Sequence, residues 1–335
     1  MKNRKHILWG TVTGCAMLTM ILDSKTALLS AQTGLNLCIK TVIPALFPFF
    51  VLSGIINSCL IGQKLSLLRP FGKLCKIPNG GESLLLIGFL AGYPVGAQLI
   101  AQAYQYGQIS KATAHRMLGF CNNAGPAFLF GMLTPLFTRA IVPWILWGIH
   151  MISALMIGYF LPQADRSVCS IQQTKPILLP KALQNALKNI TTVCGWVILF
   201  RVIIGFCERW FFWWLPKEIQ ILFSGFLELS NGIMSLHYLS SEGFRFIFAS
   251  AMLAFGGLCV GMQTTSVTDT LGSGLYFPGK ILHCLLSTAF SLLLMPLLFK
   301  DEPNINITIL PLILLGMISL MFILLLRRKK VVAFA

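Results

Sequence analysis

Glu228 and Asn231 stand three residues apart inside an otherwise apolar stretch, 221–239. A carboxylate and an amide at i and i+3 share one face of a helix. A carboxylate at membrane depth is a functional candidate by default, as a proton or cation relay or as the partner of a buried cation. Arg201, within the apolar run 190–207, is the matching cation. It either neutralises Glu228 or compensates the charge of an anionic ligand. Three more interruptions share this character: Gly92-Tyr93-Pro94-Val95-Gly96 followed by Gln98, Asn122-Asn123 before Gly125-Pro126, and Gln263-Thr264-Thr265 after Gly256-Gly257. Amides and hydroxyls in an apolar surround are costly unless paired. They either hydrogen-bond a substrate or mend a broken backbone between helices. Pro94 removes a donor and turns Tyr93 away from helix. The dipeptide is either a hairpin tip whose Tyr93 stacks on a flat ring, or a kinked helix with a packed Tyr. His150 and His283, each alone on an apolar segment, suit helix–helix hydrogen bonding or a relay.

These residues point to binding and passage rather than to bond-breaking chemistry. The chain holds no His-Glu-x-x-His, no Gly-x-Ser-x-Gly and no phosphate-binding Gly-x-x-x-x-Gly-Lys-Ser/Thr loop. Its 10 cysteines include no Cys-x-x-Cys pair and read as small buried hydrophobes. No enzyme, catalytic residue, metal site or cofactor is expected.

The elements that must position such residues follow from composition. The chain has 335 residues, 56% hydrophobic and 11% charged, with mean hydropathy +0.78. A soluble domain carries about 25% charged residues, so the class is an all-α polytopic membrane protein. The net charge of +16 sits in short clusters between apolar runs, which argues against nucleic acid. Apolar runs of crossing length are 7–22, 41–61, 117–136, 140–161, 190–207, 246–267, 281–299 and 308–326. With 84–105 and 221–239 as re-entrant hairpins, the expectation is about eight transmembrane helices plus two hairpins.

With the N-terminus inside, most of the 26 basic residues fall on cytoplasmic segments, including Lys111, Arg116, Lys280 and the tail 327–330. Both termini are then cytoplasmic. The basic start and first apolar run read as an uncleaved helix rather than a signal peptide. Trp210, Trp213 and Trp214 read as an interfacial belt. The halves align segment by segment, so that 41–61 matches 190–207 and 84–105 matches 221–239. Three crossings and one hairpin per half give an inverted repeat. The expected division is an N-terminal helix (1–30), repeat 1 (31–161), a cytoplasmic linker (162–188), repeat 2 (189–300), and a C-terminal helix with basic tail (301–335).

Gly88-Phe-Leu-Ala-Gly-Tyr-Pro-Val-Gly-Ala97, Phe120-Cys-Asn-Asn-Ala-Gly-Pro-Ala-Phe128, Gly225-Phe-Leu-Glu-Leu-Ser-Asn-Gly232 and Phe255-Gly-Gly-Leu-Cys-Val-Gly-Met-Gln263 together resemble YlbJ-type sporulation integral membrane proteins. That family carries a nucleoside-recognition (Gate) domain distantly similar to concentrative nucleoside transporters. The resemblance covers roughly residues 35–300. Gln98 stands where it would place a basic residue, and Gly261 where it would place His. It implies endospore formation and movement of dipicolinate, a small aromatic dicarboxylate, across a forespore membrane. Half-helix N-termini suit carboxylates. The functional expectation is a permease for a small organic anion or heteroaromatic compound, coupled to H+ or Na+, in the cell membrane and able to form a homo-oligomer. The alternatives are a structural protein of spore-envelope assembly and a nucleoside-like transporter. Substrate contact is expected from Tyr93, Pro94, Gly96, Gln98, Asn122, Asn123, Glu228, Asn231, Gln263 and Thr264, with charge compensation from Arg201.

Overall fold

Long apolar runs can satisfy their backbone groups in lipid only within helices, and every regular element among the described residues is helical. The computed structural model describes residues 2–63, 65–162, 171 and 175–300. The expected helix 308–326, the basic tail and part of the linker 162–188 lie outside the described residues.

Helix α1 (Lys2–Leu22) is followed by α2 (Ser24–Leu37), whose first turn is capped by Asp23 accepting the Thr26 N–H at 3.2 Å. Through a π-helical turn, Cys38–Val42, α2 runs into α3 (Ile43–Leu60). Ser24–Leu60 is thus one 37-residue rod, about 55 Å long at ~1.5 Å per residue. The expected division at 30/31 falls inside it. The chain continues through α4 (Arg69–Leu74), α5 (Glu82–Leu90), α6 (Val95–Gln105), α7 (Lys111–Leu118), α8 (Pro126–Leu133) and α9 (Ile141–Phe160). The second half comprises α10 (Leu179–Trp210), α11 (Lys217–Leu227), α12 (Leu229–Ser235), α13 (Glu242–Phe255), α14 (Gly257–Thr268) and α15 (Tyr276–Leu298).

Among the described residues, five helical stretches are long and apolar enough to cross a membrane: Ser24–Leu60, Ile141–Phe160, Leu179–Trp210, Glu242–Leu271 and Tyr276–Leu298. The expected crossings 7–22 and 117–136 correspond to shorter apolar helices, His6–Leu22 and Pro126–Leu136. Residues 119–125 leave the helix, which shortens the second. Large apolar side chains such as Leu52, Ile152, Leu199 and Leu293 face outward, as do Trp210, Trp213 and Trp214. An outward surface this apolar belongs in lipid. The chain is a helical membrane protein.

Helix α10 lies along α2 and α3, and α15 packs against α13 and α9. Small residues bring the first pair close. A Cβ on Gly34 would sit 3.1 Å from both Arg201 Cβ and Ile198 Cα, and one on Gly205 would strike the Ser30 hydroxyl. Between these packed helices sit two short helix pairs, α5–α6 and α11–α12. Each crosses at glycine. A Cβ on Gly96 would lie 3.1 Å from Gly88 Cα, and a Cβ on either Gly88 or Gly96 would collide with the Cys121 carbonyl. In the second pair a Cβ on Gly232 would collide with Gly225 Cα, and one on Gly225 with the Met252 sulfur. Gly88, Gly96 and Cys121 thus have counterparts in Gly225, Gly232 and Met252.

Gly88→Ala should destabilise the folded protein by about 1–3 kcal/mol, the usual cost of overpacking a rigid backbone contact. Gly131→Ala, whose Cβ meets nothing within 4 Å, should leave the protein as stable or slightly more so. Thermal unfolding of both variants in detergent checks the contrast; equal midpoints would refute the close crossing.

Candidate functional site

Four helix interruptions meet at the centre of the protein. The first lies between α5 and α6, where Gly92 has φ +84° and the Tyr93–Pro94 peptide is cis. The second is the extended stretch between α7 and α8; a Cβ on its Gly125 would lie 3.0 Å from both Gly92 N and Leu90 O. The third is Glu228, an extended residue between α11 and α12. The fourth is Gly256-Gly257, with φ +82° and +81°, a left-handed conformation that glycine alone adopts freely. Gly256 lies against the Tyr93 ring, and a Cβ on Gly257 would sit 3.2 Å from both Gly225 O and Leu229 N. The fourth interruption is therefore wedged between the first and the third.

The polar side chains at these breaks tie them together. The Tyr93 hydroxyl donates to Leu253 O at 2.8 Å, at the end of α13. Asn122 accepts the Ala97 N–H on Oδ1 (3.3 Å) and donates from Nδ2 to Thr264 Oγ1 (2.9 Å). The Asn123 amide donates to Phe120 O (2.7 Å), and its backbone N–H donates to Gly88 O (3.2 Å). The Asn122 and Asn123 bonds to Ala97, Phe120 and Gly88 mend broken backbone. The Ala124 N–H finds His150 Nε2 at 3.2 Å.

Glu228 performs the same service at the third break. Its carboxylate accepts the N–H groups of Ser230 (3.0 Å) and Asn231 (2.8 Å) and the Asn231 side-chain amide (2.6 Å). A negative charge at a helix N-terminus is favoured by the helix dipole and satisfies donors that have no partner within the helix. Glu228 and Asn231 therefore do touch, across the first turn of α12. The ion pair considered for Glu228 and Arg201 is absent: Arg201 Nη2 binds Glu208 at 3.0 Å. The reason is local, because seven residues along α10 bring Glu208 two turns from Arg201 on the same face, while Glu228 is already satisfied.

The turn 228–231 borders two cavities. Glu228, Ser230, Tyr93 and Gln263 help line a narrow one of about 30 Å³, room for no more than a water or two. Ser224 and Asn231 border a wide one of about 650 Å³ between α2, α10, α11 and α12. The wide cavity is basic: Lys40, Arg201, Lys217 and His237 line it, against Glu208. Arg201 keeps Nη1 buried and without a partner among the described residues. The other expected contact residues lie around this centre. Pro94 and Gly96 belong to the first break, and Gln98 accepts from Asn189 at 2.9 Å between α6 and α10. Gln263 and Thr264 sit within α14, after the break rather than in it.

Two buried cations were expected on cytoplasmic segments. Lys280 is fully buried in α15; its Nζ donates to Asn123 Oδ1 at 3.1 Å and sits 5.0 Å from the Tyr93 ring centroid. Arg116 is buried too, gathering the carbonyls of Cys75 (2.6 Å), Gly158 and Leu161 (3.4 Å). Charge counting assigned both to loops because each lies at the edge of an apolar run. For Lys280 the missed signal is Gly279: a Cβ there would strike the Gly119 carbonyl, so the backbone approach draws Lys280 inside. Nor are the two histidines separate. Their rings stack at 4.5 Å, and His283 Nε2 meets His150 O at 2.9 Å.

Removing the cap should loosen α12 alone. Glu228→Ala should speed amide hydrogen exchange of residues 230–235 by roughly tenfold, the equivalent of about 1–2 kcal/mol for a lost N-cap. Arg201→Ala should leave that exchange unchanged; acceleration in the Arg201 variant would contradict the pairing described.

No protein-family model matches the chain, and no solved structure matches it. The chain is 26% identical over 213 residues to the sporulation integral membrane protein YlbJ of Bacillus subtilis (strain 168). The similarity covers 55% of this chain and 52% of that protein, so the chain spans about half the length of the relative it matches. Over that half of its length the chain is similar to a sporulation integral membrane protein.

Proposed function

We propose that the chain is a permease for a small organic anion, with dipicolinate as the candidate cargo, in a membrane of the sporulating cell. The observation that carries this reading is the wide basic cavity that ends at the α12 cap. A volume of about 650 Å³ falls in the usual range for sites that hold a small molecule. Arg201 lines it, its guanidinium beside Glu208. A carboxylate there would meet a charge-assisted donor, worth roughly twice a neutral hydrogen bond.

The finer architecture completes the reading. The pairs α5–α6 and α11–α12 are read as re-entrant hairpins, one from each face of an inverted repeat, a reading supported by the glycine crossing in each. On the positive-inside orientation the wide cavity opens outward, at the end where Arg209 pairs with Asp23 at 2.8 Å. Passage then requires the turn 228–231 to shift, joining the wide cavity to the narrow one beside Tyr93. Tyr93, Gln263 and Glu228 would meet the cargo on that side, and no chemical step is involved. Sporulation is the role named for the Bacillus relative, and dipicolinate follows from the family resemblance.

A structural role in spore-envelope assembly leaves the basic cavity without a purpose. Nucleoside transport is the other alternative, and a charged cargo fits Arg201 better than a neutral nucleoside does.

Radiolabelled dipicolinate should enter proteoliposomes containing the purified protein, and excess unlabelled uridine should not compete. Arg201→Ala and Tyr93→Ala should each lower uptake at least tenfold at normal protein levels, while Tyr106→Ala, at an exposed position, should not. Undiminished uptake in both site variants, or no uptake by the unaltered protein, would overturn the assignment.

A further inference from the structure

Helix α15 carries a polar stripe that the proposed cargo route does not use. Tyr276, Lys280, His283, Ser287 and Ser291 recur at i, i+4, i+7, i+11 and i+15, and each is at most 1% exposed. That spacing holds one helix face, and it extends for about 22 Å at ~1.5 Å per residue. A face that packs inward in a membrane helix is ordinarily small or apolar. This one is polar from end to end.

The helices packed on it continue the pattern. From α9 come His150 and Ser153, one turn apart and at most 2% exposed. From α13 comes Ser250, whose hydroxyl donates to Ser287 O at 3.1 Å. Four polar atoms on α9 and α15 are buried with no hydrogen-bond partner among the described residues: His283 Nδ1, Ser287 Oγ, His150 Nδ1 and Ser153 Oγ. Leaving a buried polar atom unsatisfied costs about 1–3 kcal/mol, so four together weigh heavily against a dry seam. Buried groups of this kind are commonly satisfied by internal water making two to four hydrogen bonds.

We propose that the seam between α9 and α15 is a hydrated proton path. The stacked imidazoles of His150 and His283 and the Lys280 ammonium are its protonatable stations. A proton moves by breaking one N–H or O–H bond and forming another, from imidazolium to water to hydroxyl, and no electron pair leaves the path. Lys280 is the charge facing both imidazoles, with His150 and His283 facing each other. Among the described residues, α13 presents Ser250 to the stripe, and the α7–α8 segment presents Asn123 and Cys121. Among the described residues, no carboxylate is paired with Lys280 or either histidine. Lys280 connects the path to the cargo route, because its Nζ binds Asn123 Oδ1 and lies over Tyr93. On the reading of the chain as a transporter, on which its purpose rests, the path makes H+ the coupling ion.

Proteoliposomes holding the full chain and a trapped pH-sensitive dye, with a potassium diffusion potential imposed by valinomycin, read proton flux without any cargo. Flux above that of empty vesicles is expected. The double variant Ser153→Val/Ser287→Val should lower it at least tenfold, and Thr288→Val, on a neighbouring face of α15, should not. Flux unchanged in the double variant overturns the path. Dipicolinate uptake without proton flux also overturns it while leaving the proposed function standing. Flux without dipicolinate uptake supports the path and sinks the cargo assignment, and neither activity sinks both. Hydroxyl-radical footprinting of the unaltered protein decides should the double variant misfold. Labelling of Tyr276, His150 and His283 despite their burial is expected, and protection of all three overturns the path.

Discussion

Hydrocarbon offers no partner to a backbone N–H or C=O, so each interruption of a helix at membrane depth must be satisfied by protein or by trapped water. Four interruptions abut here: the first is bonded to the second and to the end of α13, and the third is capped by its own Glu228. The Gly88 carbonyl takes the Asn123 N–H, Asn122 takes the Ala97 N–H, and Leu253 takes the Tyr93 hydroxyl. Moving any one break away from the others would leave several buried groups unpaired at about 1–3 kcal/mol each. The glycines follow from the same requirement. Gly88, Gly96, Gly225 and Gly232 let backbones approach within reach of these bonds, and Gly256-Gly257 turns the chain between Tyr93 and α11–α12.

Charge inside this assembly is handled by dipoles more than by ion pairs. Glu228 is held by helix N–H groups, Arg116 by helix carbonyls, and Lys280 by an amide and an aromatic face. Buried ion pairs with one partner removed are strongly destabilising, whereas a fixed backbone dipole has no counter-charge to lose. Charges held in this way remain open to a second interaction. That is the physical basis for placing a proton path beside Lys280; Arg201, by contrast, is ion-paired with Glu208.

The two cavities share the turn 228–231, which joins structural and functional links of the argument. A short helix of seven residues, Leu229–Ser235, is too brief to be stable alone. It depends on its cap and on the Gly225–Gly232 crossing.

The sequence by itself determined the helical membrane class, the positions of three breaks and the glycines of the fourth, though not that Gln263 and Thr264 lie inside the helix that follows it. Lipid leaves no alternative to helix over long apolar runs, and Gly, Pro and paired polar residues interrupt helices by local stereochemistry. It also paired Glu228 with Asn231, since three residues along a helix is a local distance. What it could not contain was depth at the ends of runs. Lys280 and Arg116 read as loop charges, and only the approach of α15 to Gly119, or of α7 to the end of α9, carries them inward. The partner of Arg201 was likewise a tertiary matter, as were the roles of Asn122 and Asn123 and the contact of His150 with His283. Each depends on which segments, far apart in the chain, come within about 3 Å of one another, and periodicity along one strand of sequence holds no record of that distance.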